Sequence, residues 1–211
     1  MKVLLINGSP NEKGCTYTAL SEISKTLNNE NIETEIYYIG TEPIAPCRDC
    51  RACTKLQRCV IEDKVNELLA RINEFDGFVI GSPVHYASAS GSICPFLDRL
   101  FFAASRNPAG NPFRLKPATA VVSCRRAGST ATLDQLNKYF LINQMPIISG
   151  RYWNMVHGSN PEQVLQDLEG LQNMRIVAKN MAWHLKCKES AEKLDIKAPE
   201  AEETIYTNFI R

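Results

Sequence analysis

The sequence has neither a long hydrophobic run nor an excess of charge of one sign. No apolar stretch approaches the roughly 20 residues that a membrane-spanning helix needs, and 24 basic side chains nearly match 23 acidic ones. A nucleic-acid surface needs clustered basic charge, so we expect neither a membrane nor a nucleic-acid partner. The chain enters an apolar strand pattern directly, without the features of a secretion signal, and we expect a cytoplasmic protein.

The first loop also lacks two common nucleotide-binding patterns. Residues 7–18 follow the apolar run 3–6 and lead into an amphipathic helix pattern. They contain no lysine after Gly14, as a triphosphate loop would, and no Gly-x-Gly-x-x-Gly. Glycines, the hydroxyls of Ser9 and Thr16, and a helix N-terminus still suit an anion. The loop is either an ordinary strand-to-helix turn or a cradle for a monophosphate held by neutral donors, with FMN as the leading candidate.

Apolar runs and amphipathic stretches alternate along the rest of the chain. Strand patterns occupy residues 2–6, 35–39, 77–81, 118–124 and 147–152, and helix patterns occupy residues 63–75, 92–104, 130–142 and 162–186. Short connections between them favour a parallel sheet covered by helices on both faces. We predict an α/β, flavodoxin-like three-layer sandwich with a five-stranded parallel sheet of order 2-1-3-4-5. Residues 1–187 form this domain, with a cysteine-rich insertion at 44–61, and residues 188–211 form a tail.

Two further loops are predicted to leave the same edge of the sheet, where ligands bind in such folds. Residues 81–91 place His85 and Tyr86 among small residues, which suits close contact with a flat ring. Residues 123–129 contain Arg125 and Arg126, and a guanidinium near a flavin would stabilise its anionic reduced form. We predict no catalytic acid or base, because the flavin itself would be the reactive group.

Four of the eight cysteines lie close together after the second strand. Cys47, Cys50 and Cys53 have the compact Cys-x2-Cys-x2-Cys spacing typical of [4Fe–4S] ligation, and Cys59 follows. Zinc suits the spacing less well, since structural zinc sites usually use two separated pairs. In a third interpretation the thiols are metal-free and reactive, with pKa values lowered by basic neighbours. These neighbours are Arg48, Arg51, Lys55 and Arg58.

Together these segments resemble the NADPH-dependent FMN reductase family, and most of all its iron–sulfur flavoprotein branch. The likeness covers about residues 1–185. It rests on Gly8-Ser9-Pro10 with Gly14-Cys15-Thr16, on the cysteine loop, on Gly81-Ser82-Pro83-Val84 with Gly91 and Phe96-Leu97-Asp98-Arg99, and on Ser123-Cys124-Arg125-Arg126. It implies FMN bound by the three loops, NAD(P)H as co-substrate, and assembly as a homodimer or homotetramer.

The resemblance also implies roles for individual residues. The phosphate would be held by Ser9, Asn11, Gly14, Cys15 and Thr16. The ring would be lined by Pro83, Val84, His85, Tyr86, Ala87 and Ser88, and covered at another edge by Ser123, Arg125, Arg126 and Gly128. The cluster ligands would be Cys47, Cys50, Cys53 and Cys59. His85 departs from the family, whose members often have an aromatic residue there.

Three functions are compatible with these features. The first is an FMN-dependent NAD(P)H oxidoreductase that reduces a small-molecule acceptor such as a flavin or quinone, with the flavin N5 as reactive centre. The second is a non-enzymatic iron–sulfur flavoprotein that carries electrons between redox proteins. The third is a cysteine-based redox or metal sensor. The tail is predicted to contact a neighbouring subunit through Ile205, Tyr206, Phe209 and Ile210, or else to be a frayed terminus.

Overall fold

The computed structural model describes residues 1–205 and residue 207, and its strands form one sheet between two helical layers. The strands are β1 (Lys2–Asn7), β2 (Glu33–Tyr38), β3 (Gly77–His85), β4 (Ser88–Ala89), β5 (Ala118–Cys124) and β6 (Met155–His157). Five of them are parallel in the order β2-β1-β3-β5-β6, and β4 folds back antiparallel onto the end of β3. Counted without β4, this is the predicted order 2-1-3-4-5, and the flavodoxin-like fold is confirmed.

The helices divide between the two faces of the sheet. They are α1 (Cys15–Asn29), α2 (Cys53–Leu56), α3 (Lys64–Leu69), α4 (Ile93–Ala104), α5 (Ser129–Ile142), α6 (Pro161–Val164) and α7 (Leu168–Lys193), with a 3-10 turn at Ile72–Glu74. Along β1, Val3 and Leu5 pack under α1 and α7, whereas Leu4 and Ile6 pack under α3, α4 and α5. Both faces of β1, an interior strand of the sheet, are therefore buried, which is why it is a continuous apolar run rather than an alternating one.

The fifth parallel strand lies further along the chain than predicted. The segment 147–152 makes only one bridge, between Ile147 and Ala118, and then leaves the sheet. The buried side chain of Asn173 accepts hydrogen bonds from the N–H groups of Arg151 and Tyr152, at 2.8 and 3.2 Å. With both N–H groups held by Asn173, residues 151 and 152 lie outside the sheet, which resumes at β6.

Helix positions agree with the sequence at α4 and α5 and differ at two other places. The predicted helix 63–75 ends at Leu69 and continues as the separate 3-10 turn. The predicted helix 162–186 is two helices, since the Asp167 side chain accepts from the N–H of Gly170 and starts α7 anew.

Beyond α7, residues 194–205 form neither helix nor strand. The tail's proposed contact residues Tyr206, Phe209 and Ile210 lie outside the described residues, so the subunit-contact arm stays a prediction. In the described part of the chain, no helix combines the length and hydropathy needed to cross a membrane.

Candidate functional site

The carboxyl ends of β1, β3, β5 and β6 surround one cavity of about 170 Å³. All three loops predicted from the sequence contribute to it. The predicted residues that line it are Ser9, Asn11, Cys15, Thr16, Pro83, Val84, His85, Ser123 and Arg125. Gly158 and Ser159, which follow β6, complete the wall and were not predicted, because the position of β6 itself was wrong.

The first loop is held in shape by the buried side chain of Asn7, the last residue of β1. Its amide nitrogen donates to the carbonyl oxygen of Glu12 at 2.8 Å, and its amide oxygen accepts from the N–H of Ser9 at 3.1 Å. The Ser9 hydroxyl then accepts from the N–H of Asn11 at 3.1 Å. These bonds order the loop before any ligand arrives.

Helix α1 begins at this loop with unpaired backbone donors. Gly14 stands at its N-cap and offers no side chain to accept from the first turn. Within the described residues, the N–H groups of Cys15, Thr16 and Tyr17 have no acceptor. A row of N–H groups at the positive end of a helix dipole is a binding site for an anion.

Hydrogen bonds tie the loops to one another. The hydroxyls of Thr16 and Ser123 lie 2.8 Å apart and join the first loop to the third. The Ser90 hydroxyl donates to the carbonyl oxygen of Gly8 at 2.6 Å, and its N–H donates to the Ser82 hydroxyl at 2.9 Å. The walls of the cavity are therefore one connected frame.

A short hairpin stands at the rim of the cavity. After His85 the chain turns through Tyr86 and Ala87, both with positive φ, and returns as β4. Gln135 on α5 fixes the returning strand, because its side-chain oxygen accepts from the Ser88 hydroxyl and from the Ala89 N–H. Tyr86 is fully exposed. Three of the predicted ring-lining residues thus lie on the rim rather than in the cavity, namely Tyr86, Ala87 and Ser88.

The third loop approaches this hairpin at Gly128. Its φ of +90° is unfavourable for other residues, and a Cβ added there would lie 2.8 Å from the Cα of Ala87. Arg125 and Arg126 precede it and are exposed, and neither forms an ion pair with any described residue. Arg125 lines the cavity, whereas Arg126 does not.

Two cysteines of the cavity are buried enough to change their chemistry. Burial raises the pKa of the Cys15 thiol and of the Cys124 thiol. Both are therefore uncharged at neutral pH, and Cys15 donates weakly to the carbonyl oxygen of Gly158 at 3.6 Å. The donors that face the cavity beside α1 are thus neutral groups.

The four clustered cysteines line a second, smaller cavity together with Arg99 of α4. Cys53 is buried at the start of α2, and Cys47 and Cys50 are exposed. Asn66 of α3 fixes Cys59, since it accepts from the Cys59 N–H at 3.0 Å and donates to its carbonyl oxygen at 2.9 Å. The four cysteines therefore line the same cavity, with Cys59 held there by its backbone.

The thiols do not converge on one point. Among the described residues, no three His, Cys, Asp or Glu side chains lie close enough to share one metal ion. A cubane cluster binds each thiolate through a different iron, so its four ligands stand further apart than those of a single ion. The donor set, four cysteines that line one cavity, is of the kind that ligates an iron–sulfur cluster.

The predicted lowering of thiol pKa values is wrong for Cys53. Burial is the largest influence on this thiol and raises its pKa, despite an opposing effect of Arg106. The basic side chains that were expected to lower it are exposed to solvent, where their charges are screened. They are Arg48, Arg51, Lys55 and Arg58.

Arg99 also lines the cysteine cavity, a position that the sequence pattern does not indicate. It belongs to the segment 96–99 on which the family resemblance partly rests, but the structure puts its guanidinium against the cysteine loop. Burial opposes its charge, yet hydrogen bonds to Asp63 and Cys59 outweigh burial and raise the pKa of Arg99. A fixed positive charge therefore lies beside the thiols.

Comparison with known proteins identifies related flavoproteins. The family model described as NADPH-dependent FMN reductase matches residues 1–160. Two iron-sulfur flavoproteins from Methanocaldococcus jannaschii are similar to the chain. One is 30% identical over 86% of this chain and 96% of the relative, and the other is 28% identical over 83% and 92%.

A solved structure, RosB with bound 8-demethyl-8-formylriboflavin-5′-phosphate, has a TM-score of 0.71 at 15% identity and covers 100% of this chain and 94% of its own. At that identity the likeness shows the fold alone. The family match and the first relative go further, because each extends over most of the chain. The chain therefore belongs to the NADPH-dependent FMN reductase family.

Proposed function

We propose that the protein is an FMN-dependent oxidoreductase that takes electrons from NAD(P)H and passes them to a second acceptor. The observation that carries this proposal is the single cavity where three strand-end loops meet the unpaired N–H groups of α1. Family membership supports it independently.

In this proposal the phosphate of FMN lies at the start of α1. The backbone N–H groups of Cys15, Thr16 and Tyr17 donate to it, and the hydroxyl of Ser9 lies beside them in the cavity wall. Asn7 holds the loop so that these donors keep one arrangement. Neutral donors can bind the anion without leaving a buried, unpaired cation when the site is empty.

The segment 83–85 and the third loop are the residues that would hold the ring of FMN. Bound FMN supplies hydride and electron transfer at its N5 atom. The chain's own residues orient the ring and set the charge around it, and Arg125 is the cation that reaches the cavity wall. A positive charge there favours the anionic reduced ring and attracts a phosphate-bearing donor.

A second candidate function, electron carriage through a [4Fe–4S] cluster, rests on a separate observation. The thiols of Cys47, Cys50, Cys53 and Cys59 line one cavity, and Arg99 donates to one of them. The similar M. jannaschii proteins are named iron-sulfur flavoproteins. We propose that these thiols hold the cluster and that it exchanges electrons with partner proteins.

The test is anaerobic purification followed by a visible spectrum, with FMN, iron and sulfide measured on the same sample. We expect flavin bands over broad iron–sulfur absorbance, with about four irons per chain. Steady-state oxidation of NAD(P)H with a quinone or free flavin then separates an oxidoreductase from a carrier, which would turn over little. A colourless protein that takes up no added FMN would contradict the main proposal.

A further inference from the structure

Arg99 is buried to 1% exposure, and every N–H group of its guanidinium has an acceptor. Nε donates to the Cys59 sulfur at 3.2 Å. Nη1 donates to Asp63 Oδ2 at 2.6 Å and to the carbonyl oxygen of Ala45 at 3.3 Å. Nη2 donates to Asp63 Oδ1 at 2.9 Å and to the carbonyl oxygen of Ile61 at 2.9 Å. A guanidinium has five N–H donors, and all five are used here.

These acceptors lie at both ends of the cysteine-rich insertion. Ala45 precedes the first cysteine of the loop, whereas Cys59, Ile61 and Asp63 stand at its end. One side chain on the rigid helix α4 therefore joins the start of the loop to its end. Asp63 extends the connection, because its carboxylate also accepts from the N–H of Val65 and caps α3.

No other residue type can make these contacts at once. Lysine has a single nitrogen with three donors, so it cannot bind the Asp63 carboxylate with two parallel bonds and also reach a sulfur and two carbonyls. A neutral side chain would leave the partly buried carboxylate of Asp63 without its cation. The position of Arg99 in the core of α4 is thus specific for arginine.

We propose that Arg99 is a positioning residue with two roles at the cysteine site. It closes the loop around the four cysteines, and its hydrogen bond to the sulfur of Cys59 raises the reduction potential of a cluster bound there. The inference rests on the proposed cluster. Reduction adds negative charge that spreads onto the ligand sulfurs, and an N–H donated to a sulfur stabilises that charge.

The first experiment measures the potential of the reconstituted cluster by redox titration followed by electron paramagnetic resonance, with iron content on the same samples. R99K keeps the charge but loses the geometry, and we expect a lower potential than in the wild type. D63N keeps an N-cap for α3 but removes the neutralising carboxylate, and we expect a higher potential. R58Q removes a nearby exposed charge, and we expect a smaller shift than with R99K.

Opposite shifts in R99K and D63N support the proposal, because a merely structural contact would loosen the loop in both variants in the same way. A wild-type potential in fully loaded R99K overturns it, as does a shift in R58Q as large as that in R99K. If R99K fails to load iron, an unchanged or lower potential in D63N overturns it instead.

A second experiment needs no cluster. Hydrogen exchange of the metal-free protein, with FMN retained, should be faster across residues 45–63 in R99K than in wild type and unchanged in R58Q. Equal exchange in R99K and wild type overturns the positioning role. A wild-type protein that binds FMN but no iron would contradict the cluster and its tuning, while this exchange experiment still decides whether Arg99 positions the loop.

Discussion

The strand-end cavity and the cysteine loop lie in the same domain but are built in different ways. Residues at the ends of four parallel strands surround the cavity, and its donors are backbone N–H groups and hydroxyls. The cysteine loop has little regular structure apart from α2, with positive φ at Asp49 and Arg51, and it is held by a few polar side chains. Arg99 and Asn66 make most of these contacts.

The strand-end cavity and the cysteine loop therefore depend on different kinds of interaction. The sheet fixes the ends of its strands through many backbone hydrogen bonds, and side chains such as Asn7 then order the individual loops. The cysteine loop instead depends on one partly buried ion pair, Arg99 with Asp63, and on the amide of Asn66, and losing either leaves polar groups unpaired. We expect the two sites to respond independently to substitution.

The largest difference between the responses of the two sites should come from replacing all four loop cysteines with serine. We expect complete loss of bound iron and no change in FMN content, because no loop cysteine lines the strand-end cavity. Compared with metal-free wild type, the quadruple variant should lose about 1–2 kcal/mol of unfolding free energy, mainly because buried Cys53 is replaced. C187S, which changes an exposed cysteine outside the loop, is the matched control and should keep its iron.

Iron and FMN analysis of the purified variants is the measurement, with urea unfolding for stability. If the quadruple variant lost its FMN as well, the two sites would not be independent.

The second prediction concerns the cavity alone. G128A should weaken FMN binding about tenfold, since its Cβ would meet the backbone of Ala87. It should also cost about 1–2 kcal/mol of stability because φ is positive. G110A has a φ of +104° with open space around it, so it should show a similar strain without the loss of affinity.

FMN titration by fluorescence quenching measures the affinity, and iron content should be unchanged in both variants. Equal FMN affinity in G128A and G110A would mean that the contact between the third loop and the hairpin does not shape the site.

The third prediction uses a region remote from both sites. Glu35 accepts two parallel hydrogen bonds from Arg71, and these bonds, together with Lys2 and against partial burial, lower the pKa of Glu35 from 4.5 to about 2. The folded pKa is below the unfolded one, so this stabilisation is present above pH 4.5 and is lost as pH falls toward 2.

Because the Glu35 side chain is 26% exposed, we expect E35Q to cost only about 1–2 kcal/mol at pH 7. Urea unfolding at pH 7 and at pH 3 should show that the difference from wild type shrinks at low pH. E33Q, at an exposed partner of Lys2, should have almost no effect. A difference that grows at low pH would contradict the assignment, and FMN and iron contents measured at pH 7 should equal those of the wild type.

The smallest effect is expected at the exposed arginines of the third loop. Changing both Arg125 and Arg126 to alanine should slow flavin reduction by less than about fivefold and leave stability unchanged within about 0.5 kcal/mol. Stopped-flow reduction by NAD(P)H measures the rate, and the difference from wild type should shrink at high salt. Unchanged kinetics at low salt would remove these residues from any role in tuning or steering.

The sequence predicts the sheet order and the three strand-end loops well, because both depend on local patterns. Buried parallel strands are apolar runs, and the loops after them contain the small and hydroxyl residues that a ligand edge needs. The fifth strand was misplaced since Asn173, more than 20 residues away in the sequence, captures the backbone of 151–152. No pattern within residues 147–152 indicates that a distant side chain binds this backbone.

Arg99 was missed for a similar reason. Its partners are 36 to 54 residues distant in the sequence, and on an amphipathic helix a charged residue is usually assigned to the solvent face. The cysteine spacing indicates that a site exists but not what holds it together.

The interior position of β1, between β2 and β3, has a consequence for synthesis on the ribosome. Its partner β3 follows more than 70 residues later, so at cellular translation rates the apolar strand waits roughly 4–15 s for that neighbour. Helix α1 is complete long before then and packs on Val3 and Leu5, while Leu4 and Ile6 face the side that α4 and α5 later cover. Until β3 and the later helices are made, the apolar side chains of β1 therefore lack most of the partners that bury them in the folded protein.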